Sequence, residues 1–178
     1  PGNPRVTRAP RTGKLGKARI CPQGRVVMDI HSGGMEGAFP HGTSFHPIPD
    51  PKQQAEIALV SRLFDTSIVM IYSSAMASGL LTDEAEAEGK VTIGSEFGAG
   101  ASTDRLGGRH AYDGTKNVLR HYGLLDGGIV KVRPAGSTPT RLIRADKLDS
   151  YIPAPRNGIW EPVIQPGQGV AEGELLGR

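Results

Sequence analysis

Three runs of consecutive apolar residues are separated along the chain by segments with helical spacing. The runs read GRVVMDI at 24–30, SIVMIY at 67–72 and KVTIGSE at 90–96. Apolar runs of this kind, without strict alternation, are typical of strands that are covered on both faces, as in parallel sheets. We therefore predict three buried strands at these positions.

Helices are predicted in the intervals between the strands. The segment 50–64 begins with Asp50 as the N-cap and Pro51 in the first turn, which is a frequent start of a helix. A short acidic helix is predicted at 80–89 and a longer helix at 104–122, and a glycine stops each of them. In the first of the two longer helices, helical spacing is kept by Ala55, Ala58, Leu59, Arg62 and Leu63, and Leu63 and Phe64 end the apolar face. In the second, one face is shared by Ala111, Thr115, Val118, Leu119 and Tyr122.

The alternation of strands and helices predicts an α/β fold with a mostly parallel sheet flanked by helices. Residues 22–127 are expected to hold this α/β domain, including a loop at 32–49 that is rich in Gly, Pro and His. After residue 127 the pattern changes to short β segments, the first at 129–132, so 128–178 is predicted to be a small β module. Residues 1–21 are predicted to be a basic, poorly packed N-terminal segment.

Composition narrows the class of protein. The net charge is only +3, from 21 Lys and Arg against 18 Asp and Glu, and no aromatic residue is interleaved with the basic residues at 5–19. That pattern argues against a nucleic-acid-binding arm. No run approaches the ~18 apolar residues of a membrane span, no signal-peptide pattern is present, and a single cysteine, Cys21, excludes an internal disulfide framework. We therefore expect a soluble cytoplasmic protein without nucleic-acid or membrane partners.

Ionisable side chains end two of the predicted strands. His31 follows the first strand directly, and Glu96 closes the third. Ligands of parallel α/β sheets bind beyond the carboxyl ends of the strands, so these two side chains are expected at one edge. An imidazole can bind zinc, a glutamate can accept a proton, and Asp29 is placed to orient His31. Taken singly, a turn histidine and a surface glutamate are the simpler interpretations, so the residues alone predict an α/β domain with a candidate site.

Four segments in a fixed order carry a resemblance to a known family. They read DIHSGG at 29–34, SEFGAG at 95–100, NVLRHYGLL at 117–125 and GIWEP at 158–162, the last with glycines continuing to Gly177. Together they resemble the signatures of the succinylglutamate desuccinylase/aspartoacylase family of zinc-dependent deacylases. The resemblance covers residues 22–178, and its wording is most similar to the deacetylases of N-acetylated diaminobutanoate.

The resemblance implies a zinc-carboxypeptidase-like α/β fold and hydrolysis of the amide bond of small N-acylated amino acids. It implies that His31 is the third zinc ligand, that Glu96 is the catalytic glutamate and that one Zn²⁺ is bound per subunit. The expected partner is a small-molecule N-acyl amino acid, and a homo-oligomer is compatible with the family. The substrate-binding residues stay open.

The chain departs from the family at the other two zinc ligands. The family supplies them from a His-x-x-Glu pair, and no His-x-x-Glu occurs in this chain. We expect those ligands upstream of Pro1 and expect this chain alone to be inactive. His110 has an aspartate at the matching spacing but is discounted, and His41 and His46 are expected to be exposed loop histidines near the substrate mouth. The alternative is a non-catalytic binding or interaction protein that keeps the fold without the metal site.

Overall fold

A computed structural model of the chain describes residues 23–35, 37–73, 75, 80–100, 102 and 104–178. The predicted basic segment 1–21 and Cys21 lie outside these residues. The strands are β1 (Val26–Asp29), β2 (Gly42–Phe45), β3 (Ile68–Tyr72), β4 (Val91–Glu96) and β5 (Arg141–Ala145). The helices are α1 (Pro51–Arg62), α2 (Leu81–Ala87) and α3 (Arg105–His121), with a short 3-10 helix at Leu148–Ser150.

The five strands form one sheet in the order β1-β4-β2-β3-β5. The pairs β1–β4, β2–β3 and β3–β5 are parallel, and β2–β4 is antiparallel. The predicted α/β class with a mostly parallel sheet is therefore confirmed. Because β2 runs against β4, the carboxyl ends of β1 and β4 lie at one edge and the carboxyl end of β2 lies at the opposite edge.

Strand β2 falls inside the segment 32–49 that was predicted to be a loop. Its sequence GTSF contains one large apolar residue, Phe45, so it carries no apolar run. It is a strand because β3 and β4 supply hydrogen-bonding partners on both of its sides. This strand depends on long-range pairing that local propensity does not report.

The strand predicted at 129–132 is absent from the described structure. The N–H of Val130 donates to Oδ1 of Asn117 over 2.9 Å, and the N–H of Val132 donates to Oδ2 of Asp65 over 2.8 Å. Side chains thus take the place of a neighbouring strand. The last strand of the sheet is instead β5, which lies after residue 127. The domain boundary predicted at residue 127 stays a prediction.

Helix α1 begins as predicted, since Oδ1 of Asp50 accepts the N–H of Lys52 over 2.9 Å and Pro51 is its first residue. Its buried face matches the prediction in part, since Phe64 is in the core and Ala58 and Leu63 pack against it. Ile57, Val60 and Ser61 are buried, whereas Leu59 is 47% exposed. Ile57 and Val60 lie on one face of the helix, and Phe64, just after its last turn, continues that face with the spacing i, i+3, i+7. The face packs into the core of the domain, which also contains Phe45, Val69, Ile71 and Ile93.

Helix α3 buries part of its predicted face, since Val118 is in the core and Ala111 and Tyr122 pack against it. Its buried residues are Gly107, His110, Gly114, Asn117 and Val118. A methyl group at Gly114 would lie 2.3 Å from Cδ1 of Phe64, so the glycine lets the helix approach that ring. The polar members of the face are satisfied by carbonyls: Nδ1 of His110 lies 2.8 Å from O of Phe64, and Nδ2 of Asn117 donates to O of Leu63 over 2.9 Å.

The residues after 151 are mostly exposed. In place of the predicted short strands this tail has one isolated bridge, between Pro162 and Gly177, and an ion pair of 2.8 Å between Arg178 and Glu161. Within the described ranges, no helix combines the length and apolarity needed to cross a membrane.

Candidate active site

The main chain brings His31 and Glu96 to the same edge of the sheet. β1 and β4 are parallel and in register, with Asp29 opposite Gly94. Beyond the strands, the N–H of His31 donates to Oγ of Ser95 over 3.1 Å, and the N–H of Phe97 donates to O of His31 over 2.9 Å. The predicted proximity of the two strand ends follows from this parallel pairing.

The Ser-Gly-Gly turn after His31 is held against the loop after Glu96. The N–H of Gly33 donates to O of Gly98 over 2.9 Å. A methyl group at Gly33 would lie 2.5 Å from Cδ2 of Phe39, and Gly34 has a φ of 67°, so both positions suit glycine. The glycines of the motif therefore allow the chain to turn back closely beside the site.

Glu96 has the electrostatic environment of a proton acceptor. It is half-buried, and its Oε2 is buried without a hydrogen-bond partner among the described residues. Burial raises the pKa of the Glu96 carboxyl, the charge of His31 opposes this, and the negative charge of Asp29 adds to it; the net direction is upward. A carboxylate whose charged form is disfavoured takes up a proton more readily than an exposed one.

The other predicted site residues surround Glu96. Asp29 is half-buried and His31 is exposed, and both are near enough to act on Glu96 through their charges. The carbonyl of Asp29 accepts the hydroxyl of Ser95 over 2.9 Å, which ties the end of β1 to β4. The roles assigned to Glu96, His31 and Asp29 remain predictions.

Glu96 lines a cavity of about 550 Å³. Ser44 of β2 and Ile68, Met70 and Tyr72 of β3 line it and alternate with the core residues Phe45, Val69 and Ile71, so this part of the wall belongs to the sheet face that points away from the core. The sequence singled out Glu96 and placed the segment 39–46 near the substrate mouth, and Phe39, Pro40 and Gly42 from that segment line the cavity. It did not predict the lining residues from β3 and β5, because these strands are far from Glu96 along the chain.

His110 and His41 pack behind the loop that follows Glu96. The ring of His110 stacks on Phe97 with centroids 5.9 Å apart, and burial lowers the pKa of the His110 imidazole. His41 is half-buried rather than an exposed loop histidine, with its Nε2 3.0 Å from Oδ2 of Asp104. Asp104 caps α3, since its Oδ1 accepts the N–H of Gly107 over 2.7 Å. These contacts support the loop without reaching the carboxylate of Glu96.

The prediction that His46 is an exposed loop histidine is wrong. His46 is buried, with Nδ1 2.8 Å from Oε2 of Glu86 and Nε2 3.1 Å from Oδ1 of Asp83. Thr92 donates its hydroxyl to Oε1 of Glu86 over 2.7 Å. One signal in the sequence could have indicated this contact. Asp83 and Glu86 are three residues apart in the short acidic helix, so both carboxylates lie on one helical face and can bind the same side chain.

The side chains of His46, Asp83 and Glu86 also form a candidate metal-ligand group, with their ligand atoms within 4.8 Å of one another. The group lies beside Thr92, at the amino end of β4, whereas Glu96 lies at the carboxyl end. Both ring nitrogens are at hydrogen-bond distance from a carboxylate, an arrangement that attaches α2 to the sheet. No comparable group of three ligands surrounds His31 within the described part of the chain.

Comparison with known proteins found relatives in sequence and in structure. No family model matches the chain. The chain is 23% identical over 159 residues to the N-alpha-acetyl-L-2,4-diaminobutyric acid deacetylase of Halomonas elongata, covering 89% of this chain and 45% of that protein.

Solved structures show the same fold. The crystal structure of a succinylglutamate desuccinylase/aspartoacylase from Rhodobacter sphaeroides matches with a TM-score of 0.86 and 28% identity, over 99% of this chain and 52% of that one. The product-bound ectoine utilization protein EutE (DoeB) from Ruegeria pomeroyi matches with a TM-score of 0.82 and 25% identity, over 100% of this chain and 52% of that one. The chain spans about half the length of these relatives. The resemblance carried by its motifs is confirmed, and the chain is a relative of the succinylglutamate desuccinylase/aspartoacylase family.

Proposed function

We propose that this chain supplies the catalytic glutamate and one zinc ligand of a deacylase that hydrolyses the amide bond of small N-acylated amino acids. The observation that carries the proposal is Glu96. It ends a strand beside His31, it has a buried oxygen without a hydrogen-bond partner among the described residues, and its pKa is raised by burial. It also opens on a cavity that is large enough for a small amide.

The names of the relatives support the same reaction class. One is named a deacetylase of an N-acetylated diamino acid, and another a succinylglutamate desuccinylase/aspartoacylase. Both names describe removal of an acyl group from an amino acid. Because this chain spans about half of those proteins, the activity and the substrate are proposals here.

Glu96 would act as general base and then as general acid. Its carboxylate takes a proton from the water that attacks the acyl carbonyl, and the protonated carboxyl returns that proton to the amine as the carbon–nitrogen bond breaks. The raised pKa assists the second transfer, since the carboxyl has to hold the proton until the amine leaves. Proton transfer of this kind contributes typically ~10²–10⁴-fold to a rate.

The zinc requirement implied by the family is only partly matched by these residues. His31 is exposed, so its imidazole can reach an ion, but a zinc site usually takes three protein ligands. Around His31 the described residues complete no such set. Zinc, when bound, would polarise the carbonyl and lower the pKa of water, and its two remaining ligands would come from outside the described residues.

The incomplete ligand set is also the observation that favours the alternative function. A protein that keeps the fold and cannot assemble the metal site would bind ligands or partners without hydrolysing them. The two functions differ in whether the protein hydrolyses N-acylated amino acids. Only in the deacylase do Glu96 and His31 contribute to turnover.

The test uses the complete polypeptide that the gene encodes, with added zinc and N-acetylated amino acids as substrates. Glu96→Ala is expected to keep its zinc and lose at least ~10²-fold in kcat, and His31→Ala is expected to lose zinc as measured by elemental analysis. Glu172→Ala, an exposed carboxylate in the tail, serves as the control and should behave as wild type. Undiminished turnover by Glu96→Ala would exclude its role as base, and wild-type protein without zinc or turnover would favour the binding function.

A further inference from the structure

A row of paired residues crosses the sheet from Glu96 to Arg141. Glu96 in β4 is paired with Gly42 in β2, and Gly42 is paired with Ile68 in β3. Ile68 is paired in turn with Arg141, the first residue of β5. Because the side chains of paired residues point to the same face of a sheet, Arg141 projects from the face that carries Glu96. Neighbouring strands lie ~4.8 Å apart, so the backbones of the two residues are separated by ~14 Å.

The side chain of Arg141 reaches residues that line the cavity beside Glu96. Its Nη2 donates to O of Gly167 over 2.9 Å, and Gly167 lines the cavity together with Pro40 and Glu96. A methyl group at Gly167 would lie 3.6 Å from Nη2 of Arg141 and 3.7 Å from Cβ of Pro40. Pro40 lies two residues before Gly42, the strand partner of Glu96. The guanidinium of Arg141 therefore lies at the rim of the cavity.

Arg141 keeps donors for a further acceptor. A guanidinium has five N–H groups, and the bond to Gly167 uses one of them. The residue is exposed, so an anion from solution can reach it. Arg144 of the same strand differs, since it points to the opposite face and its Nη2 lies 2.7 Å from Oδ2 of Asp146. One arginine of β5 is thus neutralised within the chain, and the other faces the cavity rim.

We propose that Arg141 binds a carboxylate of the substrate and thereby positions the amide at Glu96. The inference rests on the proposed deacylase function and adds a substrate-binding residue to it. N-acylated amino acids carry an α-carboxylate, and some carry a second carboxylate on the side chain or on the acyl group. The chemistry recognised is the same in each case, because a planar guanidinium binds a carboxylate through two parallel N–H···O bonds.

The physical reason is the charge of Glu96 itself. An anionic substrate that enters the cavity loses hydration and is repelled by the Glu96 carboxylate. A cation at the opposite side of the cavity offsets both costs for the carboxylate end of the substrate. The two opposite charges also favour one orientation, with the substrate carboxylate at Arg141 and the amide nitrogen near Glu96, which has to return a proton to it.

The experiment measures kcat and KM of the complete polypeptide with zinc for three pairs of substrates. Each pair compares one carboxylate with its neutral amide: N-acetylalanine with N-acetylalaninamide, N-acetylglutamate with N-acetylglutamine, and N-succinylalanine with N-succinamoylalanine. The wild type is expected to prefer the charged member of at least one pair. Arg141→Gln is expected to raise KM for that member by ~10-fold or more, because a hydrogen-bonded charge pair is lost. The neutral member and both kcat values should change little, since the contact is made equally in the ground state and the transition state.

Two further variants separate substrate binding from support of the fold. Arg144→Gln removes an exposed arginine from the opposite face of the same strand, so it is the matched control and should leave all three pairs unchanged. Arg141→Lys keeps the positive charge without the planar fork and should retain part of the preference. If Arg141→Gln does not fold, Arg141→Lys gives the second test, because a selective rise in KM for the charged member is still expected.

The pair that responds identifies which carboxylate Arg141 binds. Three outcomes would overturn the inference and leave the deacylase function standing: equal loss on the charged and neutral members of every pair, unchanged kinetics of Arg141→Gln, or a wild type that prefers the neutral member throughout. Equal loss would restrict Arg141 to holding the segment around Gly167. If the wild type hydrolyses none of these amides, the proposed function itself fails, and the role of Arg141 fails with it.

Discussion

Glu96, the proposed general base, lies where the ionisation of its side chain is disfavoured. Burial places its carboxylate where the charged form is disfavoured, and the nearby negative charge of Asp29 adds to the effect. A surface glutamate would be better solvated and a weaker proton acceptor. The chain therefore keeps at its site a group whose ionisation opposes folding at neutral pH.

This leads to a prediction about stability and pH. The pKa of Glu96 is raised on folding, so the folded state binds more protons than the unfolded state between the two pKa values. The free energy of unfolding then falls as the pH rises through that window. Glu96→Gln removes the charge and is expected to raise the free energy of unfolding at pH 7.5 while abolishing turnover.

Urea denaturation at a series of pH values measures the effect. The gain from Glu96→Gln should shrink as the pH falls below the ordinary carboxyl pKa of ~4.3, where the wild-type side chain is protonated in both states. Glu172→Gln, at an exposed position, should show no gain at any pH. A loss of stability at pH 7.5 would contradict the assigned pKa direction.

At the scale of elements, the glycines of α3 have opposite roles that their helix propensity alone does not distinguish. Gly114 is buried against Phe64, and a methyl group there would lie 2.3 Å from Cδ1 and 2.7 Å from Cγ of that ring. Gly108, in the same helix, has open space in the direction of a side chain. One glycine permits close packing, and the other only adds conformational freedom to the unfolded chain.

Alanine at each position should therefore change stability in opposite directions. Gly114→Ala is expected to destabilise by roughly 1–3 kcal/mol, the usual cost of overpacking a core. Gly108→Ala is expected to stabilise by roughly 0.5–1 kcal/mol, because alanine is the better helix former. Thermal and chemical denaturation of the two variants in parallel would measure this, and equal effects would show that α3 does not approach Phe64 as described.

At the scale of the whole molecule, the antiparallel pairing of β2 with β4 decides which side chains lie at each end of these strands. It places the Glu96 end of β4 opposite Gly42 and leaves the buried ion-paired group of His46 at the other end. A methyl group at Gly94 would lie 2.9 Å from Oγ of Ser44, so the two strands approach closely at the centre of the sheet. The edge that carries Glu96 and the buried polar group of His46 are thus held apart by the length of one strand.

The burial pattern predicts how unevenly the molecule opens. Strands β2 and β4 have neighbours on both sides and bury at least half of their residues, whereas 151–178 is mostly exposed. Amides that open only with global unfolding exchange far more slowly than those in exposed segments. Hydrogen exchange is expected to be ~10³-fold or more slower in β4 than in the tail. Comparable rates in both would show that the tail is packed against another part of the protein.

Much of the fold and the edge of the site could be predicted from local sequence. The runs at 24–30, 67–72 and 90–96 became strands, Asp50 capped its helix, and the motifs identified the family. These features depend on neighbouring residues, through strand and helix propensity, capping and the glycines of tight turns. The expectation that His31 and Glu96 meet at one edge needed only parallel pairing of two strands.

The remaining features depend on contacts between residues far apart in sequence. Strand β2 forms because β3 and β4 flank it, and Val130 and Val132 are not in a strand because Asn117 and Asp65 take their N–H groups. The buried position of His46 depends on Asp83 and Glu86, and the cavity depends on the register that sets Met70 beside Ile143. By itself the sequence determined three of the strands, the helices and the resemblance to the family, since local chemistry encodes them. Only the tertiary structure decided the sheet order, the complete set of buried helix residues and the cavity beside Glu96, because burial and register arise from long-range pairing.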